Sequence, residues 1–310
     1  MRATRDAFGK ALLELGREMP EIVALTADLG GSVKTDAFAK EFPKRFLQMG
    51  IAEANMVDVA AGLSTAGKIP FATTFAMFGS GRAWESVRNT VGYPGLNVKV
   101  ACTHSGLSVG EDGASHQALE DIALMRVIPG MTVVVPADYA AAFALTKEVA
   151  RMKGPVYLRL GRPKVRDVYK DGEKFEIGKA KLLREGKDVA ILAVGPQVPF
   201  AMDAAELLAK EGIQASVADF HTVKPLDEST LLQLAKTCGA IVTAEEHNVI
   251  GGLGGAVAEA LARTSPTPIR FVGAQDTFGE SGDPELLWKK YGVDAAGIVK
   301  AAKQVIASKR

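Results

Sequence analysis

The stretch Thr103–Gln117, THSGLSVGEDGASHQ, holds two of the chain's four histidines, His104 and His116, and the adjacent pair Glu111-Asp112 among closely spaced glycines. Imidazoles exchange protons near neutral pH, and glycines let backbone come close to a ligand. The preceding run Leu96–Ala101 is strand-like, so in an α/β sheet the stretch lies beyond the carboxyl end of a strand, where ligands bind. Two plainer readings stand beside this one: a solvated turn, or a metal site with Glu111 and Asp112 between the histidines. The spacing matches no compact ligand motif and Cys102 is the only thiol nearby. Proton transfer and hydrogen bonding are therefore the favoured chemistry.

Two more stretches carry suitable groups. GIAEANM, Gly50–Met56, places Glu53 in the first turn of a helix beside Ile51, Met56 and Val57. A carboxyl in apolar company holds its proton more tightly and suits proton sharing with a ligand nitrogen; alternatively, it is simply an acid at a helix N-terminus. TTFAMFGSGRAWESVRN, Thr73–Asn89, sets Phe75 and Phe78 beside Gly79 and Gly81 at the end of a strand. Such aromatics clamp a flat heterocycle or are plain core. Together the three stretches describe a pocket for a planar nitrogen base.

The scaffold that must position these groups reads as α/β. Strands are expected at Ile22–Thr26, Phe46–Met49, Ile69–Thr73, Val98–Thr103, Thr132–Val135 and Val156–Leu160, and helices near Thr4–Glu18, Glu53–Ala66, Gly79–Thr90, Leu119–Val127 and Ala140–Lys153. This alternation implies a parallel sheet covered on both faces. From Pro163 to Lys187 periodicity lapses into a charged stretch, expected as an exposed connection with a short hairpin. Alternation then resumes, with strands Val189–Val194, Ala215–Asp219, Ala240–Thr243 and Ile269–Val272 and helices near Val198–Lys210, Glu228–Lys236, Gly252–Arg263 and Ala295–Ala307. A second α/β domain follows from this. Its glycine clusters, Gly195-Pro196 and Gly251–Gly255, are weak anion cradles and read more simply as tight turns or close helix packing; His247 reads as a structural or interface histidine.

Composition narrows the function classes. Of the 310 residues 47% are apolar and 24% charged, with a formal net charge of +1. That balance lacks the basic footprint of a nucleic-acid binder. No run approaches the roughly 18 apolar residues of a membrane span. Cys102 and Cys238 stand without paired spacing, which points to a reducing cytoplasm rather than a disulfide framework. Apolar Ala7, Phe8, Ala11, Leu12 and Leu15 give the N-terminal run an amphipathic helical period, not a signal core.

In this order and spacing GIAEANM, TTFAMFGSGRAWESVRN and THSGLSVGEDGASHQALED resemble the pyrimidine-binding half of transketolase. The likeness continues through LRLGRP at Leu158–Pro163 and through ADFHTVKPLD and DTFGESGDPELL, over nearly the whole chain. The family's other segment, a GDG followed by an Asn pair that holds magnesium and the phosphates of thiamine diphosphate, has no counterpart here. The resemblance thus implies one polypeptide of a split enzyme, with two domains, each a mostly parallel sheet with helices on both faces: pyrimidine-binding 1–165, linker 166–187 and C-terminal 188–310.

The resemblance implies that Glu53 meets the aminopyrimidine N1′, that Phe75 and Phe78 wall the ring, and that Asp28 lies close to the thiazolium. His104, Asp112 and His116 match positions at the sugar hydroxyls and the reacting centre, and an imidazole there is a suitable base. Arg5, Ser32 and Arg162 fall where the family binds the substrate phosphate. Gly81 stands where larger members often carry an aromatic. The implied activity moves a two-carbon ketol unit from a ketose phosphate to an aldose phosphate, as in the pentose phosphate pathway. Implied partners are thiamine diphosphate, an N-terminal subunit that holds Mg2+ or Ca2+, and a second copy of this chain within an α2β2 assembly. The β subunit of a 2-oxo-acid dehydrogenase shares the GIAE segment, deoxyxylulose-phosphate synthase shares GxDGxxHQ, and a non-catalytic scaffold is a third rival; GEDGASHQ with both histidines favours transketolase.

Overall fold

Runs buried at every position set the two sheets. Ile22–Thr26, Lys99–Thr103, Val189–Ala193 and Ala215–Asp219 expose no residue, which strands achieve when helices cover both faces. The computed structural model describes residues 1–309. Its first sheet has seven strands in the order Thr222–Lys224, Thr132–Val134, Val156–Arg159, Lys99–Thr103, Ile69–Phe75, Ile22–Thr26 and Phe46–Gln48. All run parallel except Thr222–Lys224, which the second half of the chain adds antiparallel at one edge. The second sheet has five strands, Ile269–Ala274, Ile241–Asn248, Val189–Ala193, Ala215–Asp219 and Lys181–Arg184, the last antiparallel.

Helices close the faces. Thr4–Glu18 buries Ala7, Phe8, Ala11, Leu12 and Leu15, one stripe of an amphipathic helix, against the helix Tyr139–Arg151. Asp138 caps that second helix, accepting the Ala141 N–H at 2.8 Å, and its other oxygen takes the amides of Val168 and Tyr169 at 2.6 and 2.8 Å.

Three expectations change. The charged stretch before Lys187 is largely exposed, as expected, but it is anchored and forms no hairpin: Tyr169 and Phe175 are buried, the Tyr169 hydroxyl donates to Asp219 at 2.8 Å, and Lys181–Arg184 joins the sheet. Lysine stems conceal such burial, and Lys181 lies over both rings. The expected helix Gly79–Thr90 runs as widened π-type turns, Phe78–Arg82 and Val87–Gly92, around Trp84–Ser86. Gly79 is pressed against the neighbouring strand, where a Cβ would fall 2.5 Å from the Cys102 sulfur. The strand expected to stop at Thr243 continues to Asn248. Short helices Gly30–Val33, Asp36–Glu41 and Pro284–Lys290 carry no long apolar period and were not foreseen.

Candidate active site

Four adjacent parallel strands of the first sheet deliver the candidate residues at their carboxyl ends, the usual ligand-binding edge of such a sheet. Asp28 follows Ile22–Thr26, Phe78 follows Ile69–Phe75, His104 follows Lys99–Thr103, and the helix bearing Glu53 follows Phe46–Gln48. Asp28 and His104 both hold left-handed backbone, φ 60° and 57°, a conformation that non-glycine residues keep mainly where the surroundings impose it.

Aromatic rings form the centre. Phe75 stacks on His104 with centroids 3.8 Å apart and on Phe78 at 5.8 Å. His116 stands edge-on to Phe75 at 6.4 Å and to Phe78 at 5.4 Å. Residues brought in from two separate stretches therefore share one wall.

Glu53 is 1% exposed, yet its company is not purely apolar. Arg82 Nη1 donates to Glu53 Oε2 at 2.9 Å, and the guanidinium lies 4.7 Å over the Phe78 ring. Among the described residues Arg82 is the one hydrogen-bond partner of this carboxylate. Sequence reasoning missed it; the available signal was a cation one helical turn beyond Phe78.

His104 has a partner at each ring nitrogen. Arg5 Nη1 lies 3.2 Å from its Nε2 and Thr103 Oγ1 lies 2.7 Å from its Nδ1. A guanidinium only donates, so Nε2 accepts and the ring proton sits on Nδ1, donated to Thr103. Burial pushes the His104 pKa down to about 3, and the positive charges of Arg5, Arg162, His116 and Lys34 add to it. This imidazole is neutral at physiological pH. His116 is more open, with Ser115 Oγ 2.9 Å from its Nδ1.

The basic end of the site begins at Arg5, which also donates to the Ser32 carbonyl at 3.3 Å and whose buried Nε has no partner. Burial lowers its pKa, with Arg162 contributing. Arg162 donates to the Val109 carbonyl and, at 2.9 Å, to Glu111 Oε2. Glu53, Arg82, Phe78, His116, Phe75, His104, Arg5 and Ser32 thus form a continuous chain of contacts. Asp28 and Asp112 stand apart, both exposed. The Asp28 N–H donates to Gln48 Oε1 at 2.7 Å, which also takes the Gly50 N–H at 3.3 Å.

A buried carboxylate beside stacked phenylalanines fits a planar base that offers an N–H, and an unpartnered Arg5 donor beside Arg162 fits an anion. Among the described residues no group of three or more His, Cys, Asp or Glu is placed to hold a metal ion. Grooves of 370 and 520 Å³ elsewhere on the molecule are lined by other residues. The glycine cluster at 251–255 is no anion cradle, because the Glu245 carboxylate already takes the Leu253 and Gly254 amides at 2.7 and 2.8 Å.

Comparison with known proteins meets this geometry. A family model described as transketolase, pyrimidine binding domain, matches residues 1–168, and one described as transketolase, C-terminal domain, matches residues 178–298. The chain is 46% identical over 302 residues to the 6-deoxy-6-sulfo-D-fructose transketolase subunit SqwH of Clostridium sp. (strain MSTE9), covering 97% of this chain and 94% of that protein. It is 38% identical to the transketolase of Homo sapiens over 98% of this chain but 49% of that protein. Among solved structures it is similar to one titled "Split gene transketolase, inactive beta4 tetramer", with 52% identity, a TM-score of 0.92, and coverage of 100% of this chain and 99% of that one.

Proposed function

This chain belongs to the transketolase family, and on that premise we propose that it is the C-terminal subunit of a split enzyme that transfers a two-carbon ketol unit from a ketose phosphate to an aldose phosphate. One observation carries the reading: the chain matches a split-gene transketolase end to end but only about half of the human enzyme. Residues 1–165 form the pyrimidine-binding domain in this proposal, 166–187 a linker and 188–310 the C-terminal domain.

Family membership implies dependence on thiamine diphosphate, which when bound supplies the carbanion and electron sink for carbon–carbon cleavage. Glu53 holds a proton at the pyrimidine nitrogen facing it, sharing its carboxylate with Arg82. Phe75 and Phe78 orient the ring and exclude water from it, with Asp28 and His116 toward the reacting end. His116 moves the substrate hydroxyl proton. Asp112 hydrogen-bonds a sugar hydroxyl, and neutral His104 accepts from another at Nε2 once the substrate phosphate draws Arg5 off that nitrogen. Arg5, Ser32 and Arg162 take the phosphate, the two guanidiniums by charge-assisted hydrogen bonds. In this proposal an N-terminal subunit holds Mg2+ or Ca2+ and the diphosphate, in an α2β2 assembly in the cytoplasm. Among the described residues no helix is long and apolar enough to cross a membrane.

The Clostridium relative is named for a sulfonated fructose, so a sulfonated ketose is the second substrate to try beside a phosphorylated one. Turnover of pyruvate instead of ketose phosphate would indicate a 2-oxo-acid dehydrogenase. The deciding experiment is calorimetric titration of thiamine diphosphate with magnesium into the purified chain, followed by a ketol-transfer assay with and without a GDG-bearing partner chain. Weak binding and no turnover alone, both restored by the partner, are expected. Micromolar binding with turnover by this chain alone would overturn the reading.

A further inference from the structure

The loop that carries His116 is shaped largely by the other domain. Glu246, near the end of the strand Ile241–Asn248, is 1% exposed. Its Oε1 accepts the Ser108 backbone N–H at 2.5 Å and the Trp288 Nε1–H at 2.8 Å, and its Oε2 accepts the Ser108 hydroxyl at 3.1 Å. Gly106, at φ +76°, passes so close that a Cβ there would fall 2.5 Å from the Glu246 carboxyl carbon. At the far end of the loop, Gln117 Nε2 donates to the Leu107 carbonyl at 3.0 Å and across the domains to the Glu280 carbonyl at 2.9 Å. Beneath it, Arg159 is paired with Asp121 and donates to the carbonyls of Ala118 at 3.3 Å and Glu246 at 2.9 Å.

We propose that Glu246 is a positioning residue: by binding Ser108 and Trp288 together it fixes the turn Leu107–Asp112, and through it sets His116 against Phe78. Two donors converge on one of its oxygens, a job for a strong acceptor. Burial pushes its pKa up to about 7 against the pull of Arg159, Trp288 and Ser108, so an uncharged group of the same shape should do the same work. Glutamine keeps the oxygen that faces Ser108 N–H and Trp288, and its amide N–H can donate to the Ser108 hydroxyl. Alanine keeps none of this. The second domain thereby acquires a part in the chemistry of the first.

The test has two arms, and only the second rests on the ketol-transfer reading. In the full chain labelled with 13C at histidine Cε1, His116 lies near two phenylalanine rings whose ring currents displace its signal. Glu246→Ala should move that signal toward the position of a free imidazole and leave His221 unchanged, while Glu246→Gln should leave both in place. In the enzyme assembled with its partner, Glu246→Ala should lower kcat at least tenfold with thiamine diphosphate affinity unchanged, and Glu246→Gln should restore it to within threefold. An unmoved His116 signal in Glu246→Ala overturns the proposal, as does an unchanged kcat. Should Glu246→Ala fail to fold, Trp288→Phe removes one donor and keeps the ring, and it should displace His116 in the same direction; no displacement overturns the proposal. A wild-type assembly without ketol transfer sinks the functional reading instead, and the His116 signal then decides the positioning role.

Discussion

His104 offers a test in which the number follows from its surroundings. In the folded chain its pKa is pushed from 6.5 down to about 3, first by burial and then by Arg5 and the other cations, and the residue is only 4% exposed. Below pH 6.5 the unfolded chain therefore takes up a proton that the folded chain refuses. Stability contributed at this position falls as pH falls, by about 1.4 kcal/mol per unit until pH approaches 3. Between pH 7 and pH 5 the loss is about 2 kcal/mol by the same relation. Asparagine cannot take up a proton in this range, and its carboxamide can still donate toward Thr103 and accept from Arg5. Urea unfolding followed by circular dichroism at intervals from pH 7 to 5 should show the wild type losing about 2 kcal/mol more than His104→Asn. Equal pH slopes for the two proteins would refute the reasoning, because His104 would then protonate in the folded state and could serve as a base. The functional corollary is that His104→Asn retains far more activity than His104→Ala, which leaves Arg5 Nη1 without its imidazole acceptor.

Glu53→Ala should leave folding intact and lower turnover at least ~100-fold, the scale of a lost acid-base group; activity within twofold of wild type would refute the assignment. Arg162→Ala should raise KM for phosphorylated sugars more than for free ones, by about 1.5 to 3 kcal/mol for a charged hydrogen bond, and equal effects on both would remove Arg162 from the phosphate site. Glu111→Ala, which frees Arg162 from its ion pair, should not raise that KM. Gly106→Ala should destabilise the chain by about 2 to 5 kcal/mol, the sum of a left-handed backbone cost and overpacking against Glu246, measured as the shift in the unfolding midpoint.

Much of the sheet architecture was legible because buried parallel strands are written as unbroken apolar runs, and Ile22–Thr26 and Val189–Ala193 are such runs. The strand-end stretches were legible for the complementary reason that glycine, histidine and carboxylate together suit no core. What stayed hidden depends on partners far away in sequence. Nothing local to GIAEANM announces that Arg82 will pair with Glu53, since the two come from the ends of different strands. Thr222–Lys224 is too short for a periodic signal and joins a sheet built by the other half of the chain. His104 was legible as a candidate but not as a neutral group, because its protonation follows from burial and from Arg5, which lies on the first helix.

The polar end of the strand Ile241–Asn248 shows the same limit and explains why the strand seemed to stop at Thr243. Glu245, Glu246 and His247 are 1%, 1% and 0% exposed, and three consecutive buried polar residues would be prohibitive without partners. Alternation along a strand sends Glu245 and His247 to one face and Glu246 to the other. On the first face Glu245 takes the amides that open the helix Leu253–Thr264, while His247 accepts the Ala123 N–H at 3.3 Å and contacts the Asn248 carbonyl at 2.6 Å. On the opposite face Glu246 takes Ser108 and Trp288. Each group is satisfied by a different element, and two of the three reach into the first domain. A polar strand end buried in this way costs little only while both domains stay docked: Glu246, which helps conceal the strand in the sequence, also binds the histidine loop to the second domain, and His247 binds the helix that follows that loop.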